Sequence, residues 1–207
     1  MNVDIFFQIV ILIISVIIHE VSHGAMALAF GDKTALYEGR LTLNPLKHID
    51  WFGSVALPLF LFITTSGGFI IGWAKPVPYN PYNLKNRNIG EPMVALAGPL
   101  SNIIVAFIFG FLIRILLPLY IVPSSFIIIL VFVVKINIAL AIFNLIPIPP
   151  LDGSKILFSF LPIERQFIFS QSAQKYGFLI LIFIVFLFPS FISPIIYYLF
   201  HIITGIS

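Results

Sequence analysis

Cysteine is absent from this 207-residue chain, which excludes disulfide frameworks, thiolate metal ligands and cysteine nucleophiles. Charge is nearly as scarce, with Asp, Glu, Lys and Arg at 9% of residues against the roughly 25% usual in soluble domains. Hydrophobic residues reach 60% and the mean hydropathy is +1.11, so an ordinary soluble globule is excluded as well. Also missing are a basic run and a basic-aromatic patch; the net charge of +3 comes from cations scattered between apolar segments, and no nucleic-acid partner is expected. Met1-Asn2-Val3-Asp4 lacks the positive region of a signal peptide and no small-residue cleavage site follows, so the N-terminal segment is expected to remain on the protein.

What the chain does have is apolar length. Runs at 5–30, 52–72, 92–117 and 124–146 are each long enough to cross a hydrocarbon layer of about 30 Å, which takes about 20 helical residues. Shorter runs at 177–188 and 191–206 flank Pro189 and are expected to form a hairpin. Polar stretches at 31–51, 73–91 and 147–176 are rich in Pro, Gly and Asn. The fold class expected is an all-α polytopic membrane protein, a transmembrane helix bundle in which residues 1–207 form one domain.

His19-Glu20-Val21-Ser22-His23 lies near the end of the first apolar run. In a helix, residues i and i+4 share a face about 6 Å apart along the axis, so two imidazoles can bind one Zn²⁺ while the intervening Glu reaches water held by the metal. Ionisable groups at membrane depth are costly, and three together mark function. A second group follows the fourth run: Asn144-Leu145-Ile146-Pro147-Ile148-Pro149-Pro150-Leu151-Asp152-Gly153. Its prolines stop a regular helix and free backbone groups, which membrane depth tolerates only inside protein or beside a polar cavity. Asp152 is placed to enter such a cavity, and two His with one carboxylate leave a fourth position on zinc.

Whether Asp152 can meet the histidines is a matter of parity. Both groups sit at the C-terminal ends of their runs, the first and the fourth. If every run crossed, those two would be antiparallel and the site could not close. One intervening run must enter and leave by the same face, and 52–72, with Pro58 and Thr64-Thr65-Ser66-Gly67-Gly68, is the candidate re-entrant element. Lys33, Arg40, Lys47, Lys75, Lys85, Arg87, Lys155, Arg165 and Lys175 then share one side, while the loops at 118–123 and 189–191 carry no charge. The positive-inside rule makes the crowded side cytosolic.

These residues resemble the site-2 protease family of intramembrane zinc metalloproteases. The resemblance rests on His19-Glu20-Val21-Ser22-His23, on Ala97-Gly98-Pro99-Leu100-Ser101-Asn102, and on Asn144 with Pro147, Pro149 and Leu151-Asp152-Gly153, and it covers roughly residues 5 to 160. Nothing resembles the PDZ or CBS domains of some members, and Gly72-Trp73-Ala74-Lys75-Pro76-Val77-Pro78 is similar to small prokaryotic ones. It implies one Zn²⁺ per chain held by His19, His23 and Asp152, Glu20 as general base, and Asn144 at the substrate or oxyanion. The implied substrate is a transmembrane segment of another membrane protein, one that can unwind, and the chain itself is expected to be a multi-pass protein of the prokaryotic cell membrane with its site towards the cytosol. The alternatives are a proteolytically silent binding member and a zinc transporter.

Other polar residues have plainer expectations. Gly39–Asn44 alternates well enough for a small membrane-associated strand that could pair with an extended substrate. Gly98, Pro99 and Asn102 are expected to serve close helix approach and bonding across helices. His48 is expected at the surface or a substrate edge, and His201 at the membrane interface. Lys135, in the middle of the fourth run, could snorkel, pair or line a water path. Oligomeric state is not legible.

Overall fold

The computed structural model describes residues 5–56, 60, 63–64, 74–161 and 189–206. Six α-helices lie among them: α1 (Ile5–Ala29), α2 (Thr34–Tyr37), α3 (Arg87–Leu116), α4 (Ser124–Leu145), α5 (Asp152–Ser159) and α6 (Pro189–Thr204). Short 3-10 turns at Pro45–Lys47, Pro81–Asn83 and Leu117–Leu119 and a π-helical turn at Trp51–Ala56 complete the regular structure. α1, α3 and α4 are long and apolar enough to cross a membrane. Their outer faces are as hydrophobic as their inner ones: Phe6, Ile9 and Ile13 of α1 and Ile104, Phe107 and Phe111 of α3 are 44% to 65% exposed. A helix apolar all round needs hydrocarbon for a solvent, and the protein is accordingly a multi-pass membrane protein.

Local chemistry sets the ends. α1 stops at Gly31, whose φ of 102° only glycine adopts freely, with Asp32 N donating to Ala27 O at 2.9 Å. α3 starts five residues before the apolar run because Asn86 caps it, accepting from Ile89 N at 3.4 Å. α4 ends where Pro147, Pro149 and Pro150 follow.

α3 touches α1, α4, α5 and α6. Going down α1, His23, His19 and Ser15 meet Val94 and then Asn102 of α3, so α1 and α3 are antiparallel. Asn137 bonds both Asn102 and Ser15, and Asp152, just past the C-terminal end of α4, meets His19 and His23 further along α1, which makes α4 parallel to α1 and antiparallel to α3. The parity expectation therefore holds: the chain between α1 and α3 returns to the end it left. Lys85 N donates to Phe30 O at 2.9 Å, and Asp32 accepts from Asn80 N at 2.7 Å and Asn83 Nδ2 at 3.0 Å. Most of 52–72, the expected re-entrant element, lies outside the described residues.

The far half of the bundle is closed by Ala106, Ile113, Leu130, Val134, Ile138, Phe200 and Ile203. Gly110 leaves the space that Ile203 fills, a close approach that small residues permit in membranes. Arg114 Nη2 donates to Ile202 O and lies beside Gly205, where a cation suits the negative end of α6. Lys135 Nζ rests 4.9 Å from the Phe200 ring centroid, a cation-π contact that answers its mid-membrane position.

Three expectations are corrected. α6 begins at Pro189 and ends beside the C-terminal end of α3, so it runs parallel to α3, away from the site. The chain near Pro189 thus lies towards the site end, and a turn at 189–191 on the opposite face is ruled out; residues 177–188 lie outside the described residues. Nor is there a strand among the described residues. Gly39–Asn44 runs as turns and bends, because its polar groups bond locally: His48 Nε2 donates to Thr42 O at 2.8 Å, and Asn44 N to Thr42 Oγ1 at 3.2 Å. His48 is correspondingly buried, at 2% exposure, not on the surface. His201 is exposed, near the far end, as expected of an interfacial residue.

Burial alone would raise the Asp32 carboxyl, but hydrogen bonds from Thr34, Asn83 and Asn80 hold it below the usual carboxylate range. Asp32→Ala leaves those donors unpartnered and should lower stability by about 1–3 kcal/mol in a denaturation series. Because the folded pKa is depressed, the difference from the parent should be full above pH about 4 and close as pH falls through the lowered value. The helix directions predict that single cysteines replacing Lys47 and Lys85 react with an impermeant thiol reagent from one face, and those replacing Val122 and Ile206 only from the other. Labelling of position 206 from the same face as 47 would overturn the direction of α6.

Candidate metal centre

His19 and His23 lie one turn apart on the face of α1 that meets α3, and are 5% and 8% exposed. Their Nε2 atoms are 3.1 Å apart and their rings cross at 85°. His23 Nδ1 faces Val94 O at 2.7 Å. A carbonyl only accepts, so the proton sits on Nδ1 and Nε2 is left with a lone pair. His19 Nδ1 meets Asn102 Oδ1 at 2.6 Å.

Asp152 arrives from the proline-broken end of α4. It opens α5, and Gly153 packs against the Leu145 and Ile146 carbonyls so closely that any side chain there would collide with backbone. Asp152 Oδ2 lies 3.1 Å from both Nε2 atoms, while Oδ1 lies 3.3 Å from Lys155 Nζ. One carboxylate oxygen thus faces the histidines and the other is held by a cation.

His19, His23 and Asp152 offer ligand atoms that all lie within 4.8 Å of one another, and no other such group occurs among the described residues. Buried lone-pair atoms this close repel unless something positive lies between them. Two imidazoles and a carboxylate are a zinc donor set, and a tetrahedral site with bonds of about 2.0–2.1 Å has edges of about 3.3 Å, near the 3.1 Å observed. Gly98 supplies the room: a Cβ there would lie 2.6 Å from His19 Nε2 and closer still to His23 Nε2. The residues present fit the metal.

Glu20 stands apart from the three donors. Its Oε2 accepts from Val77 N at 2.9 Å, in an extended strap at 74–80. The strap is clamped by Arg40 Nη2, which donates to Lys75 O at 2.8 Å and Pro76 O at 3.1 Å, and by Lys75 N, which donates to His48 O at 2.9 Å. Pro76 and Pro78 have no N–H, so the Val77 amide is the one donor of that triplet. Asn144 is not drawn into the metal group; its Nδ2 donates to Leu140 O at 2.9 Å, one turn back along α4. Val77, Lys155, Asn137 and Ser15 are contacts that sequence reasoning missed. Only Asn137 carried a signal, as a lone amide in an apolar run.

Gly98→Ala should keep α3 intact, since Ala favours helix, yet place a methyl group where metal would lie between the histidines. Zinc retention measured by elemental analysis should fall sharply without loss of helical circular dichroism. Full retention would mean that the metal does not sit beside Gly98.

Comparison with known proteins agrees with the geometry. The model of peptidase family M50 matches residues 115–188, which include Asn144 and Asp152. YwhC of Bacillus subtilis is 37% identical over 183 residues, 84% of this chain and 77% of the relative. MJ0611 of Methanocaldococcus jannaschii is 35% identical over 161 residues, 73% of this chain and 72% of the relative. Rip2 of Mycolicibacterium smegmatis is 33% identical over 171 residues, 82% of this chain and 62% of the relative. All three bear the provisional name of zinc metalloprotease. No solved structure matches the chain. A chain that shares this much of its length with such relatives, and that gathers two histidines and an aspartate in its membrane bundle, belongs to peptidase family M50, the site-2 proteases.

Proposed function

We propose that the protein is an intramembrane zinc metalloendopeptidase that hydrolyses a peptide bond within a transmembrane segment of another membrane protein. The observation that carries this reading is the meeting of His19 Nε2, His23 Nε2 and Asp152 Oδ2 inside a bundle whose outer faces are apolar. One zinc ion per chain, bound by these three atoms, supplies the Lewis acidity that acidifies water and polarises a peptide carbonyl.

The chain's own residues do the rest. Glu20 takes the proton of the attacking water and delivers it to the leaving amine. The Val77 amide holds one carboxylate oxygen of Glu20 and leaves the other free for that transfer. Lys155, by occupying Asp152 Oδ1, keeps the aspartate to a single ligating oxygen and so preserves an open position. Asn144 commits one amide hydrogen to Leu140 O and retains a second for the substrate carbonyl, where it stabilises developing negative charge. A helical substrate shields its peptide bonds in its own hydrogen bonds, so the segment cleaved is one that unwinds. Lys33, Arg40, Lys47, Lys75 and Lys85 in the connections, Arg87 at the start of α3 and Lys155 in α5 lie at the site end, and the positive-inside rule turns that end to the cytosol of a prokaryotic cell.

Glu20→Gln keeps the shape and a polar group but cannot accept the proton. Purified in detergent, this variant should retain zinc at the parent level and cleave a transmembrane substrate about 10²- to 10⁴-fold more slowly. Cleavage at the parent rate would remove Glu20 as the base. Zinc retention with no cleavage by the parent itself would favour a silent binding member.

A further inference from the structure

Ser15 of α1, Asn102 of α3 and Asn137 of α4 are 3%, 0% and 0% exposed, deep in the bundle. Two buried amides among apolar helices are costly unless their groups are bonded. Polar contacts that merely hold helices together need no particular direction. These have one. Asn137 Nδ2 donates to Val133 O at 2.9 Å and to Ser15 Oγ at 2.9 Å. A carbonyl can only accept, so the nitrogen end of Asn137 must face Val133 and its oxygen must turn to Asn102. Asn102 Nδ2 donates to that oxygen at 2.8 Å and also to Ser15 O at 3.3 Å, a second atom that can only accept. Asn102 Oδ1 is left facing His19 Nδ1 at 2.6 Å. An amide oxygen cannot donate, so the proton of that bond belongs to Nδ1, and Nε2 keeps its lone pair beside Asp152.

We propose that Asn102 and Asn137 are positioning residues that hold His19 in its Nδ1–H form and so present Nε2 to zinc, the order being imposed by the carbonyls of Val133 and Ser15. The inference rests on the metal-site reading above. His23 reaches a backbone carbonyl directly, at Val94. His19, one turn deeper, bonds instead to the Asn102 amide, and the relay carries the same information from carbonyls further off. Partners of this kind typically alter metal affinity 10- to 100-fold.

The test uses zinc-loaded, ¹⁵N-histidine-labelled protein in detergent, and with four histidines in the chain, replacing His48 and His201 singly assigns the spectrum. The parent should show a slowly exchanging Nδ1–H for His19. Asn102→Leu should lose that protection and bind zinc about 10- to 100-fold more weakly in competition with a chelator. Asn102→Asp, whose carboxylate still accepts from Nδ1, should recover most of the affinity. Asn137→Leu, which does not touch His19, should weaken zinc by a smaller factor and partly expose the same proton. Parent affinity with a parent-like protected signal in either leucine variant overturns the relay, leaving the two amides as interhelical packing. Should Asn102→Leu fail to fold, the parent spectrum decides: a zinc-bound His19 with its proton on Nε2 overturns the proposal. A parent that binds no zinc would instead refute the metal site itself.

Discussion

Three lone-pair atoms at 3.1 Å spacing in a low-dielectric bundle form the constraint on which the rest of this structure depends. Such an arrangement is unfavourable without a cation, and it persists because each donor is held from behind. Val94 O holds His23, Asn102 holds His19, and Lys155 holds Asp152. Glycine appears where the backbone must give way, at position 98 beside the imidazoles and at 153 beneath the end of α4. The helix directions answer to the same need, for donors on α1 and after α4 can meet only if those helices are parallel with α3 reversed between them.

Polar chemistry in this protein is accordingly concentrated and directional. Among the described residues, most of the buried polar groups fall into a few sets: the candidate metal donors, the amides behind them, and the clamps on the chain between α1 and α3, including Asp32 and Arg40; Ser154 and Thr204 stand outside these sets, each bonding a backbone carbonyl of its own neighbourhood. The clamps have a functional consequence, because the strap they secure carries the amide that bonds Glu20. The far half of the bundle is mainly apolar by contrast, and Arg114 and Lys135, its cations among the described residues, both contact α6. The chemistry and the anchoring of the last helix thus occupy opposite ends of the fold.

Much of this was legible in the residues alone. Scarcity of charge and runs of about 20 apolar residues specify membrane helices whatever the tertiary contacts, because the bilayer is the only solvent that accepts them. Histidines four apart share a helix face by geometry, and parity alone required the chain between α1 and α3 to turn back. The expectation failed where local pattern has no unique outcome. Alternation at Gly39–Asn44 is compatible with a strand, but a strand also needs a partner, and the local bonds of Thr42 and Asn44 were satisfied first. His48 was drawn inward by the same bonds.

The direction of α6 was likewise beyond the sequence, since an apolar run of this length can pack against α3 in either sense. Gly110 and Arg114 decided it by offering a groove and a cation to one end of α6. The sequence by itself determined the solvent, the candidate metal donors and the parity of the helices, because each follows from composition, from helical periodicity or from counting crossings. Only the tertiary structure decided what stands behind each donor, because the partners of His19, Asp152 and Glu20 lie on other elements, and a lone Asn or a backbone N–H acquires a role only when packing brings it to a particular atom.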